Sequence, residues 1–455
     1  MKRRYILTIF LLFGIGVTAF CQDPAAGEKT EKTPLRLAYR LSGGGGMLIP
    51  DGKVDGFIQR PELGGSFAVE FLPTGRLRCL QQWNNASIGV GAGYINLGND
   101  AKLGSAITAY SYINLPFYNG THFRIGARPS VGLAAVTKTY ANTYEGANLY
   151  KDHEGANWSI GSVLNAYLAL QLYMDFPIKN GWEITLHGGW QHISNGSIMH
   201  PNAGYNMAGG EIGLRYHPEG TMNDVRRTKD KGQGTKDEAP KPDVPRKLYD
   251  GVDKPWAVEI SATGGVKQNY YADNYPEMQF FGAATLKAVA YWVPVSIFRI
   301  GLGVDGFYDG YYRCVSHSVP GAEEAYPDAP VTKFGKTYLK ESSIANCFRV
   351  GMSLQPELII GRLTAGLHVG VYLYDPVKNL EPFAEAQAAD LSGETLNRGI
   401  FYPYDFTKAS NYQDGWCYMQ VVLKYHVLEH MFVQLGLKTH GVRAEFIDAG
   451  LGVSF

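Results

Sequence analysis

The feature that most limits the fold of this chain is its repeated use of short segments in which apolar residues alternate with small or polar ones. One such segment reads Ser-Ile-Gly-Val-Gly-Ala-Gly-Tyr over residues 87–94. Successive side chains of a β-strand point to opposite faces, so this alternation predicts strands with two chemically different faces. A membrane helix needs about 20 consecutive apolar residues, and no such run follows the N-terminal region. Alternating strands of roughly ten residues suffice for a membrane β-barrel.

The composition is compatible with this prediction but does not prove it. Charged residues make up 18% of the chain, which also contains 30 Tyr and 55 Gly. The 42 basic and 42 acidic residues cancel to a formal net charge of zero, which argues against a basic surface for nucleic acid. The low charge and the many tyrosines suit a membrane barrel, and they also suit a soluble β protein.

The first 21 residues have the pattern of a secretory signal peptide. Lys2, Arg3 and Arg4 form a positive start, and residues 6–20 are mostly apolar. Small residues precede the predicted cleavage site after Cys21. This organisation is typical of export rather than of a membrane anchor. Attachment of lipid to Cys21 is the alternative, but bulky Phe20 occupies a position where a small residue is expected.

Strand-like segments fall into two sets separated by a polar stretch. Residues 218–255 contain clustered Lys, Arg and Asp and four prolines from Pro240 onward, a composition that predicts a disordered linker. The first set, in residues 34–217, comprises 35–48, 64–72, 86–97, 103–117, 122–140, 160–177, 182–194 and 205–217. The second set, in residues 256–455, comprises 256–267, 279–292, 295–308, 345–356, 358–374, 415–427, 430–440 and 444–455.

Eight strands in each set predict an all-β fold, an antiparallel transmembrane β-barrel built twice in tandem. One barrel of about sixteen strands is the alternative, but it would require a long insertion on the periplasmic side, where turns are usually short. The halves also resemble a degenerate repeat. Residues 182–192 align without gaps on 430–440, and residues 125–128 resemble 360–362.

One segment, Trp-Gln-His-Ile-Ser-Asn followed by Pro-Asn-Ala-Gly-Tyr-Asn, stands out as a candidate site. His192 and Ser194 are two residues apart on a predicted strand, so they project to the same side. A hydroxyl beside an imidazole is the arrangement of an activated nucleophile. Asn195 and Asn202 could offer side-chain amides to a developing oxyanion. The alternative interpretation is a polar turn, because Ser-Asn-Gly and Pro-Asn-x-Gly are ordinary turn sequences.

The histidines do not predict a metal site. His187, His192, His200 and His217 occur without a His-Glu-x-x-His motif or a nearby carboxylate pattern, so neither a metal nor another cofactor is expected.

The same segment resembles the lipid A 3-O-deacylases, the PagL-like or outer-membrane acyloxyacyl hydrolase family of small barrels. The family pattern is His-x-Ser-Asn, then Pro-Asn-x-Gly-x-Glu at a fixed distance, and both blocks match in register up to Gly204. The resemblance implies that Ser194 is the nucleophile, His192 the general base, and Asn195 and Asn202 the supports of the oxyanion. It also implies a site that faces outward, toward lipid A of lipopolysaccharide in the outer leaflet.

The chain departs from the family pattern at one position. Asn206 replaces the acidic residue that orients the histidine. An Asn carbonyl can accept the imidazole N–H, although it lacks the charge of a carboxylate. Glu211 is the nearest acid, but its odd offset from Asn206 predicts the opposite face of the strand. The second half has His440 with Val442 where a serine would be needed, which predicts no second active site.

Together these features predict an outer-membrane esterase that removes ester-linked acyl chains from lipid A. It would be a carboxylic ester hydrolase with a catalytic first barrel and an inactive second one. The alternative is a non-catalytic barrel, a scaffold or a narrow pore, in which the motif is a relic.

Limited proteolysis tests the predicted linker. Cleavage should begin within residues 218–255 and leave two protected fragments, because this segment has too few apolar residues to offset the entropy of ordering. Protection of the segment, with first cleavage elsewhere, would favour a single continuous barrel.

Overall fold

The structure is a computed structural model, and it describes most of the two predicted strand regions. The described residues are 36–50, 55–73, 75–143, 156–218, 255–268, 280–313, 316–318, 331–332, 335–339, 344–375, 417–441 and 443–455. The predicted signal peptide and nearly all of the predicted linker lie outside these residues.

The first unit is a closed barrel of eight antiparallel strands. Each strand pairs with the next along the chain, and the last pairs with the first. The strands are β1 Leu37–Leu48, β2 Glu62–Phe71, β3 Ser87–Asn96, β4 Ser105–Asn119, β5 Arg124–Val136, β6 Leu164–Pro177, β7 Trp182–Ser194 and β8 Tyr205–Tyr216.

The second unit is also a closed eight-stranded barrel. Its strands are β9 Trp256–Lys267, β10 Phe281–Val295, β11 Phe298–Asp309, β15 Phe348–Ile360, β16 Leu363–Tyr374, β17 Cys417–Leu428, β18 Met431–His440 and β19 Arg443–Ser454. Between β11 and β15 the chain forms a small sheet of β12 Ser316–Ser318, β13 Val331–Thr332 and β14 Gly335–Leu339.

Helical structure in the described residues is short. The one α-helix is α1, Tyr140–Thr143, and the 3-10 helices are Asp55–Phe57, Gly75–Trp83, Gly310–Arg313 and Ile344–Cys347. None of the described helices combines the length and the apolar character that crossing a membrane would require.

The prediction of two eight-stranded barrels is confirmed, and the single sixteen-stranded barrel is excluded by the separate closure of each sheet. The strand ends in the structure differ from the predicted ends by a few residues. The predicted strand 345–356 ends on a proline, whereas β15 continues through Pro356 to Ile360. The chain then turns at Gly361, whose φ of +60° is a conformation that glycine adopts without strain.

Alternation sorts the side chains of each strand between lipid and barrel interior. On β6, Leu170 and Leu172 are 57% and 60% exposed, whereas their neighbours Gln171 and Tyr173 are buried. The exposed apolar residues form the outward band expected of a membrane-spanning barrel, and polar residues fill its interior. An eight-stranded barrel is narrow enough for side chains to fill it.

Buried charges form the interior of the first barrel below the candidate site. The carboxylate of Glu70, fully buried, accepts hydrogen bonds from the Tyr112 hydroxyl at 2.9 Å and from Arg215 at 3.1 Å. Arg128 lies 3.4 Å from the same carboxylate. A buried charge is tolerated only when it is paired and hydrogen-bonded, so this network is what allows the interior to be polar.

The interior of the second barrel also contains a network of ion pairs around a buried carboxylate, formed by different residues. The buried carboxylate of Glu357 lies 2.6 Å from Arg299 and 2.8 Å from Lys424. It also accepts a hydrogen bond from the Tyr291 hydroxyl and lies 2.9 Å from Nε2 of His368.

The two sequence alignments that suggest a repeat do not join equivalent positions. Both β7 and β18 are the seventh strand of their barrel, but the ungapped alignment superposes opposite faces. Even-numbered residues of β7 point outward, whereas even-numbered residues of β18, such as Phe432 and Lys438, are buried inside. An odd shift in strand register reverses every side chain. Gly126 also lies within β5 while Gly361 lies in a turn, so the halves share topology rather than these residue pairings.

At the end of the first barrel that carries the candidate site, the interior is apolar. Leu48, Leu97, Ile193, Tyr205 and Met207 pack in one buried cluster beneath the loops. This cluster gives β7 and β8 a rigid inner support where they leave the barrel wall.

Removal of the Glu70 charge should destabilise the first barrel. In Glu70→Gln the shape is kept, but Arg128 loses its carboxylate partner inside the barrel, which should reduce the free energy of unfolding by about 3 kcal/mol. Urea unfolding in detergent micelles measures this loss. The matched control is Asp100→Asn, because the Asp100–Arg60 ion pair is exposed and such pairs contribute little. Equal effects of the two substitutions would contradict this account.

Candidate active site

The residues of the predicted site lie on the outer face of the first barrel, where β7 ends and β8 begins. On β7 the odd-numbered residues Glu183, His187 and Gln191 are buried inside, so His192 and Ser194 share the outward parity. On β8, Asn206 has the same outward parity as exposed Ile212 and Leu214.

Three polar side chains form a continuous chain of hydrogen bonds on this face. Nε2 of His192 lies 2.8 Å from Oγ of Ser194, and Nδ1 of His192 lies 2.9 Å from Oδ1 of Asn206. The register explains the second contact, because His192 and Asn206 are directly opposite in the β7–β8 pair. Ser194 has outward parity but is only 7% exposed.

Trp190 is part of this arrangement, and the sequence analysis did not single it out. Its indole ring stacks on the His192 imidazole, with ring centroids 5.5 Å apart and an interplanar angle of 16°. Its Nε1–H donates a hydrogen bond to Oδ1 of Asn206 at 3.2 Å. The available signal was parity, since Trp190 precedes His192 by two residues and therefore shares its face.

Asn195 and Asn202 hold the loop that follows Ser194. The Asn195 side-chain amide donates to Oγ of Ser162 at 2.8 Å and to the carbonyl of Met199 at 2.7 Å. Oδ1 of Asn202 accepts the backbone N–H of Asn195 at 2.9 Å. The two amide hydrogens of Asn195 are thus engaged by Ser162 and Met199, whereas the contact of Asn202 uses its amide oxygen and not its NH₂ group.

Gly204 allows the second motif block to pass against the histidine. Its φ is +79°, and a Cβ at this position would lie 2.7 Å from Cε1 of His192 and 3.1 Å from Cβ of Ser194. The backbone N–H of Gly204 donates to the carbonyl of Ser159 at 2.9 Å. Both the conformation and the close approach therefore require glycine.

The loop that precedes β6 supports the site through Asn157, and the sequence analysis did not identify this residue. Asn157 is fully buried and donates from its amide to the Tyr205 hydroxyl at 2.5 Å and to the Lys102 carbonyl at 3.1 Å. Tyr205 directly precedes Asn206, so this contact fixes the start of β8. A buried asparagine in a loop gives no sequence pattern by which to identify such a role.

The other candidate residues lie away from this face. Glu211 points into the barrel, where it accepts a hydrogen bond from Ser42 at 2.9 Å, so it does not contact His192. His187 is also inside, with Nδ1 2.5 Å from Arg40 and 2.7 Å from Arg128. In the part of the chain that the structure describes, no three His, Cys, Asp or Glu side chains group as metal ligands.

His440 of the second barrel does not reproduce the site. It has the inward parity of β18, and its Nε2 lies 2.8 Å from the Tyr372 hydroxyl. Its Nδ1 lies 3.4 Å from the Glu445 carboxylate. These contacts place His440 in an interior ion network, not on a lipid-facing surface.

The outer site has the parts of a nucleophilic hydrolase. A neutral imidazole with Nε2 beside a hydroxyl can remove the hydroxyl proton, and a hydrogen-bond acceptor on Nδ1 holds the ring in place. The site lies on the outward face of the barrel wall, which suits a substrate that stays in the lipid phase.

Comparison with known structures returned other membrane barrels. The crystal structure of the outer membrane enzyme PagL is 13% identical, with a TM-score of 0.24, 38% of this chain covered and 97% of that chain. The crystal structure of Neisserial surface protein A is 8% identical, with a TM-score of 0.25 and coverages of 40% and 96%. The siderophore receptor PirA from Acinetobacter baumannii is 8% identical, with a TM-score of 0.22 and coverages of 93% and 81%. TM-scores this low support no inference about function.

Comparison with curated protein sequences gave no match. Two family models do match, and between them they cover most of both barrels. Residues 73–215 match the model described as lipid A 3-O-deacylase (PagL). Residues 256–385 and 401–455 match the model described as acyloxyacyl hydrolase, C-terminal domain (PagL_C). The first barrel therefore matches the PagL family and the second the C-terminal domain named after it, which identifies the chain as a PagL-type outer-membrane β-barrel protein.

Proposed function

We propose that this protein is an esterase that removes ester-linked acyl chains from lipid A by a serine–histidine mechanism. The observation that carries the proposal is the hydrogen-bonded chain Ser194–His192–Asn206 on the lipid-facing side of the first barrel. The family match to lipid A 3-O-deacylases supports the choice of substrate.

In the first half of the proposed reaction, His192 acts as general base and Ser194 as nucleophile. Nε2 of His192 takes the proton of the Ser194 hydroxyl while Oγ attacks the ester carbonyl carbon, giving a tetrahedral oxyanion. The protonated imidazole then gives this proton to the departing sugar oxygen. The bond between the acyl carbon and the sugar oxygen breaks. The deacylated lipid leaves as an alcohol, and the acyl chain remains on Ser194.

In the second half, water replaces the sugar. His192 takes a proton from a water molecule, the hydroxide oxygen attacks the acyl-serine carbonyl, and the proton returns to Oγ of Ser194 as the fatty acid leaves. Each step is a proton transfer coupled to one bond formed and one broken, so the mechanism needs no cofactor.

The sequence analysis named both Asn195 and Asn202 as supports of the oxyanion, and of these two we propose the NH₂ group of Asn202 as the direct donor. The Asn195 amide donates to Ser162 and Met199, which makes it a support of the loop. Oδ1 of Asn202 accepts the Asn195 N–H, and this contact fixes the orientation of the amide. Preorganised donors of this kind stabilise charge that develops in the transition state.

The outward position of the site fits the proposed substrate. Lipid A lies with its acyl chains in the outer leaflet, so a site on the barrel wall can reach an ester bond without drawing the lipid out of the membrane. An interior site would require the substrate to enter a barrel filled by ion pairs such as Glu70–Arg215.

Loss of either reacting residue should abolish the activity. Ser194→Ala removes the atom that forms the acyl intermediate, and His192→Ala removes the base, so each should lower kcat by about a thousandfold or more. The double variant should be no worse than either single variant, because the two residues act as one unit. Asn206→Ala should cost less, about tenfold to a hundredfold, because it affects the orientation of the imidazole.

The assay is release of 3-hydroxy fatty acid from lipid A in detergent micelles. Heat-modifiable migration on gels confirms that each variant is folded. Activity that survives Ser194→Ala in a folded barrel would reject the mechanism, and an inactive wild type across several lipid A forms would favour the non-catalytic barrel.

Gly204 provides a second test that leaves the reacting atoms in place. In Gly204→Ala the new Cβ would lie 2.7 Å from the His192 ring, which should displace the imidazole and lower kcat by about a hundredfold. The matched control is Gly441→Ala, because Gly441 also has a positive φ, +59°, but a Cβ there meets no described atom within 4 Å. Equal activity of the two variants would mean that the close approach of Gly204 to His192 has no role in catalysis.

A further inference from the structure

The replacement of the family's acidic residue by Asn206 creates a chemical problem that a carboxylate does not have. Both oxygens of a carboxylate accept hydrogen bonds, whereas an amide has one accepting oxygen and one donating NH₂ of similar size. If the Asn206 amide flips, its NH₂ faces Nδ1 of His192. Nδ1 must then accept, so the ring hydrogen moves to Nε2, points at Ser194 and prevents His192 from acting as a base.

We propose that Trp190 is a positioning residue that prevents this flip and thereby selects the catalytic tautomer of His192. The inference rests on the proposed function, because it concerns how His192 is kept ready as the base. The family match does not assign Trp190 any role.

The geometry of the indole supports this role. Nε1 of tryptophan can only donate a hydrogen bond, and it lies 3.2 Å from Oδ1 of Asn206. The same oxygen lies 2.9 Å from Nδ1 of His192. In the flipped amide, the NH₂ would face the indole N–H, donor against donor. Oδ1 therefore stays toward both rings, Nδ1 of His192 carries the hydrogen, and Nε2 keeps its lone pair toward Ser194.

The residues next to Trp190 allow its indole to hold the Asn206 amide in one orientation. Trp190 lies opposite Ala208 in the β7–β8 pair, and this small residue leaves room for the ring to reach diagonally to Asn206. The parallel stack on His192, with centroids 5.5 Å apart, also holds the imidazole plane. Trp190 is 40% exposed on the outward face of the barrel.

A double-mutant cycle separates this role from simple packing. Trp190→Phe keeps an aromatic ring over His192 but removes the N–H. It should lower kcat by about tenfold or more with KM changed by less than about twofold, because only the fraction of protein with the correct tautomer reacts. In the Asn206→Glu background the same substitution should change kcat by less than about threefold, because a carboxylate presents an acceptor in either orientation. The control is Trp182→Phe, an outward tryptophan of β7 whose ring packs against Tyr216 instead, with centroids 4.7 Å apart and an interplanar angle of 35°.

The tautomer itself can be measured without any activity. The full-length protein with ¹⁵N- and ¹³C-labelled histidine, in detergent micelles, gives imidazole shifts that distinguish the two neutral tautomers. The His192 signals are assigned by their loss in His192→Gln among the 11 histidines. Wild type should show hydrogen on Nδ1 alone, Trp190→Phe a mixture of both tautomers, and Trp190→Phe with Asn206→Glu hydrogen on Nδ1 again.

The outcomes distinguish this inference from the proposed function. An unchanged tautomer in Trp190→Phe, or an equal loss of kcat in both backgrounds, would overturn the role of Trp190, while a dead Ser194→Ala variant would still support the esterase. An inactive wild type would reject the proposed function, and the imidazole shifts would still decide whether Trp190 fixes the Asn206 amide.

Discussion

The structure depends on the alternation of side chains between the two faces of closed β-sheets. In each barrel one face must be apolar because it meets lipid, and the other carries charges that must be paired because they are buried among the side chains that fill the interior. Glu70 in the first barrel and Glu357 in the second are the centres of these paired networks. The same alternation places polar residues of outward parity, His192 and Ser194, on the outer surface of the first barrel near the end of β7.

The candidate site is built from this constraint with few additional parts. Antiparallel register brings His192 opposite Asn206, and a spacing of two places Ser194 on the same face. The loop between the strands is closed by hydrogen bonds of Asn195, and Gly204 lets it pass against the imidazole. The three hydrogen-bonded residues therefore come from two neighbouring strands, which are supported by the loop that carries Asn157 and Ser162 and by an apolar cluster inside the barrel.

The strands and the shared face of His192 and Ser194 followed from the sequence because they depend on a period of two, which sequence records directly, whereas the outward direction of that face was implied by the family resemblance. The sequence did not indicate the roles of Trp190 and Asn157, because their contacts depend on the diagonal and loop distances of the folded sheet. The ungapped alignment of residues 182–192 with 430–440 pairs outward residues of β7 with inward residues of β18. Similar residues can match while their side chains point to opposite faces, and only the pairing of the strands reveals the face.

The central claim is that a lipid-facing serine of the first barrel cleaves ester-linked acyl chains of lipid A. Mass spectrometry of lipid A from a Gram-negative host that expresses this protein tests it most directly. We expect wild type to produce lipid A lighter by one ester-linked hydroxyacyl chain, and Ser194→Ala, inserted in the outer membrane at the same level, to leave lipid A unchanged. Lipid A that is unchanged by wild type, or that is deacylated equally by Ser194→Ala, would contradict this account.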